Sequence, residues 1–437
     1  MTLTHQARKA GRKLCNQLEE MQMQHLILSI GLVLQFYRSQ RELSMGLLII
    51  WLTINWIIPL KDSLHSKRLD YRACAYAIAL SLLLIQTRTI VENQDELGIS
   101  QFLIIISGAA TTISLNREKA KRLLQWISVP TILGSIILLA PLLMHYEFSE
   151  SGVNIMNREV LGEGFGDINQ LRIVITFFTI VSLVSARLSS SIPARSFTLS
   201  GAFLGYIIIV ATESRMGQIA IPLGAIGGWL FGHWPIIRTN RIRKAKFLFI
   251  SLAAGLVSFV WKIVVTSDLS SGMASDRGRL AIVQCWAKSI LSGSNRFLMG
   301  FGHDNTEIRK LCTDHNIGYF HATDTISSSG HAHNTFINIL AHYGILGVIA
   351  VGILFVLIGR AIIINLRQDN YSLRHKSPFS ASWTECTTSI VITILICALS
   401  NTIYTYNHAI QLLLGLLIAL PLCEGKLNSN FKTQQHY

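Results

Sequence analysis

Apolar runs of roughly 14 to 22 residues alternate with short polar breaks along almost the whole chain, the length scale of helices that cross a bilayer. The pattern predicts twelve spans, near 24–37, 45–60, 73–87, 99–115, 126–145, 169–186, 197–213, 216–233, 247–266, 335–359, 384–403 and 408–423. The expected fold is all-α, a single integral-membrane domain over residues 1–437. One polar segment breaks the rhythm. Residues 267–334, between the ninth and tenth spans, form the only long loop and hold periodicities for short helices of their own. The first span is short and lacks a small-residue cleavage site, which predicts a retained helix rather than a signal peptide.

Composition agrees with this pattern. Half of the residues are hydrophobic and only 14% are charged, against about 25% charged in ordinary soluble domains. The net charge of +14 would suggest a nucleic-acid partner in a soluble protein. Here its distribution gives a different answer. With the N-terminus inside, the 38 Lys/Arg and 24 Asp/Glu divide into 25 and 8 on one side and 13 and 16 on the other. This is the asymmetry that the positive-inside rule predicts for a multi-pass membrane protein. The basic clusters Lys67-Arg68, Lys119 with Lys121-Arg122, and Arg241 to Lys246 set topology and meet anionic lipid. No nucleic-acid partner is expected. The inner loops are short and carry no P-loop, which argues against ATP-driven transport within this chain.

With this orientation the polar chemistry faces outward, in three regions. Residues 146–168 are acidic and contain Gly162-Glu163-Gly164-Phe165-Gly166-Asp167; they suit a solvated loop with capping residues or the lining of a substrate site. Arg215 follows Thr212-Glu213-Ser214 between two spans joined by almost no loop. It is placed to snorkel or to pair with Glu213, and equally to bind a lipid-linked phosphate through its planar fork.

The third region is the long loop. A first helix is predicted from Arg277 to Leu291, with Leu280, Ile282, Val283, Trp286 and Ile290 on one side, suited to the interface or to packing on the bundle. Arg277 and Arg279 fall in its first turn, where cations oppose the helix dipole; Asp276 compensates them, or an anionic ligand does. Leu298 to Gly302 predicts a tight turn, and a second helix is predicted over Asn305 to His315. Cys285 and Cys312 share this loop, and spacing alone does not decide whether they pair.

Five histidines lie in the loop: His303, His315, His321, His331 and His333. Their spacing matches no known zinc signature, and neither a metal nor another cofactor is expected. His333 stands out on physical grounds. Asn334 is a good N-cap for the tenth span, so His333 stands beside the positive end of a membrane helix. That field keeps an imidazole neutral, as a general base requires, and favours an anion nearby. A hydrogen-bonded interfacial histidine is the plainer alternative. Ala341, Gly344 and Gly347 follow at a spacing of three, which suits close helix packing.

These residues resemble a known signature. His333-Asn334, nine residues, then Gly344-Ile345-Leu346-Gly347 is similar to the H-N-x9-G-x-x-G pattern of the bacterial O-antigen ligase and polymerase superfamily. Glu213-Ser214-Arg215-Met216-Gly217 resembles the family's Ser-Arg-Gly step, with Met216 interposed. Arg279-Leu280, the helix after it and Gly300-Phe301-Gly302 resemble its Arg-headed amphipathic helix and G-x-G turn. Arg296-Phe297 stands where the family usually carries a proline, and Arg277 rivals Arg279 as the first-turn arginine.

The resemblance implies a metal-independent, inverting glycosyltransferase. It would move polysaccharide from undecaprenyl pyrophosphate to a sugar hydroxyl of lipid A–core at the periplasmic face of the inner membrane. In that reading His333 is the general base, while Arg215 and Arg279 bind the pyrophosphate. Asn334, Arg277 and His331 are candidate substrate-binding residues beside them. A polymerase or another oligosaccharide transferase of the same superfamily is the first alternative. The second is a non-enzymatic lipid-glycan transporter, which would need ionisable residues deep in the bundle. The predicted spans are nearly free of these, and Arg172 and Lys262 lie towards span ends.

Overall fold

The computed structural model describes residues 24–37, 40–52, 97–113, 115–144, 147–149, 152–154, 168–212, 214–232, 334–373, 382–403 and 408–423, with parts of the long loop at 283, 286–287, 289–291, 294–301, 308 and 332. The predicted spans 73–87 and 247–266 and the second half of 45–60 lie outside the described residues, as do Glu213, Arg277, Arg279, Cys285, Cys312, His331 and His333.

The described chain is helical apart from one small hairpin. In order it contains α1 (Gln24–Leu34) and α2 (41–52). Then come α3 (Leu97–Ile113), α4 (Arg117–Met144), α5 (Ile168–Leu188), α6 (Ile192–Ala211) and α7 (Arg215–Gly232). After these come α8 (Ser294–Met299), α9 (Thr335–Leu373), α10 (Trp383–Ser400) and α11 (His408–Ile418). Two three-residue strands, β1 (Glu147–Ser149) and β2 (Gly152–Asn154), pair antiparallel in the acidic region that the sequence suggested as a loop.

Five of these helices are long and apolar enough to cross a membrane among the described residues: α4, α5, α6, the Thr335–Leu366 part of α9, and α10. Their boundaries follow local chemistry. α4 starts nine residues before the predicted span because Asn116 caps it, accepting from Lys119 N at 2.9 Å, and Glu118 pairs with Lys121 in its first turn. Ser191 caps α6 ahead of Pro193, a residue favoured in a first turn. Ser382 caps α10 by accepting from Glu385 N at 3.0 Å, the S-x-x-E arrangement of a capping box.

α5 and α10 are the central helices and are buried along most of their length, whereas α6 and α9 keep much of their surface outside the bundle. α10 packs along α7, α5 along α6 and α4, and α11 along α3. Glycines set the closest approaches. A Cβ on Gly228 of α7 would stand 2.5 Å from Glu385 O of α10, and one on Gly108 of α3 would stand 2.7 Å from Leu412 O of α11. In lipid, such backbone contact replaces the hydrophobic drive that water supplies.

Gly228→Ala is therefore expected to cost about 1–3 kcal/mol through overpacking. The matched control is Gly352→Ala, because a Cβ there meets nothing within 4 Å. Thermal unfolding in detergent should show a lowered midpoint for the first variant only; equal midpoints would refute the α7–α10 contact.

At the predicted inner end, Arg187 in the last turn of α5 forms an ion pair with Glu385, which is buried in the first turn of α10. Both residues sit at helix ends, so this pair joins two helices at one end of the bundle.

Candidate functional site: the helix starts at one end of the bundle

α7 and α10 run antiparallel. Thr393 Oγ1 donates to Ala220 O at 3.3 Å, while Gly228 faces Glu385 and Ser389. Continued along the helices, that register sets the start of α7 level with the end of α10. The start of α9 is tied to the same place. Asn334 Nδ2 donates to Leu399 O at 2.7 Å, and Thr335 Oγ1 donates to Asn401 O at 2.6 Å while accepting from Ile403 N at 3.0 Å. The start of α5 joins them through Arg172, which reaches Thr212 just before α7. Three helix N-termini thus gather at one end, with the positive ends of their dipoles directed at the same surface.

Asn334 performs its predicted role. Its Oδ1 accepts from Phe336 N at 3.0 Å and from Ile337 N at 3.1 Å, so it caps α9. Its Nδ2 is committed to Leu399 O, which leaves it a structural task in addition to the substrate contact suggested by the sequence. Asn338, one turn on and fully buried, accepts from Ala332 N at 3.1 Å. Sequence reasoning missed Asn338. Its signal was an amide four residues after the cap on an otherwise apolar helix face.

Arg215 is the first residue of α7 and is exposed. Ser214 precedes it as cap: its Oγ accepts from Gly217 N at 3.2 Å and its carbonyl accepts from Gln218 N at 2.9 Å. The absence of a side chain at Gly217 matters, because a Cβ there would lie 2.6 Å from Thr176 Oγ1 of α5. The Ser-Arg-Met-Gly step is therefore a cap, an exposed cation and a close contact in four residues.

The long loop rests on the bundle through a small core of its own, Trp286, Ile290, Ile308, Ala332 and Ala341. Trp286 and Ile290 fall within the predicted amphipathic helix, and these two residues pack on α9. α8 ends where the sequence predicted a turn. Gly300 N donates to Arg296 O at 2.8 Å with Gly300 at φ 76°. Arg296 stands 5.2 Å from the centre of the Phe301 ring.

The glycines of the signature do something the sequence did not foretell. A spacing of three at Ala341, Gly344 and Gly347 presumed a continuous helix. α9 is instead kinked at Gly344, at φ 63° and ψ −164°, a conformation essentially confined to glycine. A Cβ at Gly344 would strike the Leu298 carbonyl and stand 2.6 Å from Met299 N; one at Gly300 would stand 2.6 Å from His342 O. The two glycines let α8 and α9 meet backbone to backbone. The kink also turns the Ala341 carbonyl to an outside partner, Phe301 N, at 2.6 Å.

Fold and site together define a multi-pass helical membrane protein whose polar site is built from helix starts and a docked loop. Residues 200–352 match the family model described as O-antigen ligase. This match supports a place in the O-antigen ligase superfamily, and the matched stretch contains Arg215, Arg279, His333, Gly344 and Gly347. No curated protein gives a significant match to the chain.

Proposed function

We propose that the protein is an O-antigen ligase, an inverting glycosyltransferase at the periplasmic face of the inner membrane. One observation carries the reading: a single family match spans both the Arg215 corner and the His333–Gly347 signature. The gathering of three helix starts around these segments supports it, because such an end suits the polyanionic head of undecaprenyl pyrophosphate.

In this reaction the acceptor hydroxyl of lipid A–core attacks the anomeric carbon of the donor glycan. The new C–O bond forms as the bond to the pyrophosphate breaks, inverting the centre. His333 takes the hydroxyl proton, and Arg215 and Arg279 stabilise charge gathering on the leaving undecaprenyl pyrophosphate. Pyrophosphate is a capable leaving group, so the transfer needs neither ATP nor a metal. Arg277, His331 and Asn334 line the substrate, and the loop at 267–334 covers it and limits hydrolysis.

A polymerase of the same superfamily shares this chemistry and differs only in its acceptor. Cells lacking the protein are expected to accumulate full-length glycan on undecaprenyl pyrophosphate and to carry bare lipid A–core. Accumulated single repeats would instead identify a polymerase. Normal glycan on lipid A–core would exclude both readings.

A further inference from the structure

The Arg215 corner is held by a second arginine, to which neither the signature nor the proposed reaction gives a task. Arg172 stands one turn into α5. Its Nε donates to Thr212 O at 3.0 Å and its Nη2 donates to the same oxygen at 2.5 Å, while Nη1 reaches Asn169 Oδ1 at 3.4 Å. Thr212 ends α6 and is fully buried. A guanidinium closing on a helix-terminal carbonyl is favourable, since that carbonyl carries the negative end of the dipole.

One turn below, Thr176 Oγ1 donates to Arg172 O at 2.6 Å and occupies the space left open by Gly217. The two α5 residues thus grip the α6–α7 corner from both sides, Arg172 at its first residue and Thr176 at its last. Between these grips Thr212 and Ser214 are tied back to α6. Ser214 N donates to Ile209 O at 3.0 Å, and Thr212 Oγ1 donates to Ile209 O at 3.1 Å. Arg215 projects from the middle of this clamped segment.

We infer that Arg172 is a positioning residue for Arg215: by fastening Thr212 O to α5 it fixes where the Arg215 guanidinium meets the phosphate of the lipid-linked donor. The inference rests on the phosphate-binding role proposed for Arg215. It assigns Arg172 to that arginine rather than to the substrate, because the donors of its own fork are directed at Thr212 and Asn169. Lysine cannot replace it, since an ammonium lacks the two-pronged approach to one oxygen.

The test is a double-mutant cycle on the full-length protein in detergent or nanodiscs. Undecaprenyl-pyrophosphate-linked glycan serves as donor and lipid A–core as acceptor. Arg215→Lys should be impaired but measurable. Arg172→Met should lower kcat/KM for the donor about tenfold beside native Arg215. In the Arg215→Lys background the same change should cost less than about twofold, because residues acting through one contact are not additive. KM for lipid A–core should not change. Arg172→Lys should behave like Arg172→Met despite its charge, and it carries the test if the methionine variant does not accumulate.

Equal losses in both backgrounds would overturn the inference, as would full activity of the Arg172 variants beside an impaired Arg215→Lys. If Arg215→Lys is itself fully active, the fork of Arg215 is not needed and the positioning inference fails, while a point-charge role at the phosphate remains.

Discussion

His333→Ala should lower glycan transfer by about 10²–10⁴-fold, the contribution of a positioned general base, while the protein still accumulates in the membrane. The reason is where the residue falls in the chain. Asn334 directly follows it and caps α9 through two backbone N–H groups. The proposed base role expects an imidazole kept neutral beside that helix start, with a ring nitrogen to take the acceptor proton. His333→Asn separates the two roles weighed for this histidine. Asparagine preserves hydrogen bonding but has no basic nitrogen, so a base predicts the same loss as alanine. A structural interfacial histidine predicts substantial rescue by asparagine. Transfer of labelled glycan to lipid A–core, normalised to membrane protein, is the measurement; wild-type ligation by His333→Ala would eliminate the proposed base.

Gly344→Ala has the second large expected effect, and it acts through the backbone. At φ 63° and ψ −164° a non-glycine residue carries strain of about 1–3 kcal/mol before any contact is considered. The added Cβ also meets the Leu298 carbonyl and lies 2.6 Å from Met299 N. These are backbone atoms of α8, so no rotamer change relieves the clash. The expected outcome is release of α8 and the loop core from α9, seen as faster proteolysis near residues 294–301 and loss of transfer. Gly344→Asn should fail equally, because asparagine tolerates the left-handed helical region but not this extended one. Native proteolysis and activity in Gly344→Ala would refute the kink and its role.

Much of the membrane architecture was legible in the sequence because the bilayer imposes a simple length rule. The observed α5, α6, α7 and α10 lie within a few residues of the predicted spans. The Asn334 cap was equally legible, since capping depends on one residue and the three that follow it. The amphipathic face of the first loop helix was visible too, and Trp286 and Ile290 are buried as that face requires.

Other features were hidden for definite reasons. The G-x-x-G spacing looked like a packing seam because periodicity assumes an unbroken helix; the kink depends on what stands opposite Gly344, namely the α8 backbone. Arg172 looked like an arginine near a span end because its partner, the Thr212 carbonyl, is forty residues away in the chain. Glu385 sat inside a predicted span with no sign of its partner, and the ion pair follows only from the packing of α5 on α10.

By itself, then, the sequence determined a multi-pass helical membrane protein, the residues of its signature and the Asn334 cap, all of which follow from spacing, hydropathy and short-range hydrogen bonding. Tertiary structure alone decided that three helix starts share one end, that Gly300 and Gly344 join loop to bundle, and that Arg172 clamps the Arg215 corner. Those arrangements depend on backbone atoms far apart in the chain, and carbonyls and amides are the same at every position, so residue identity cannot announce which of them will meet.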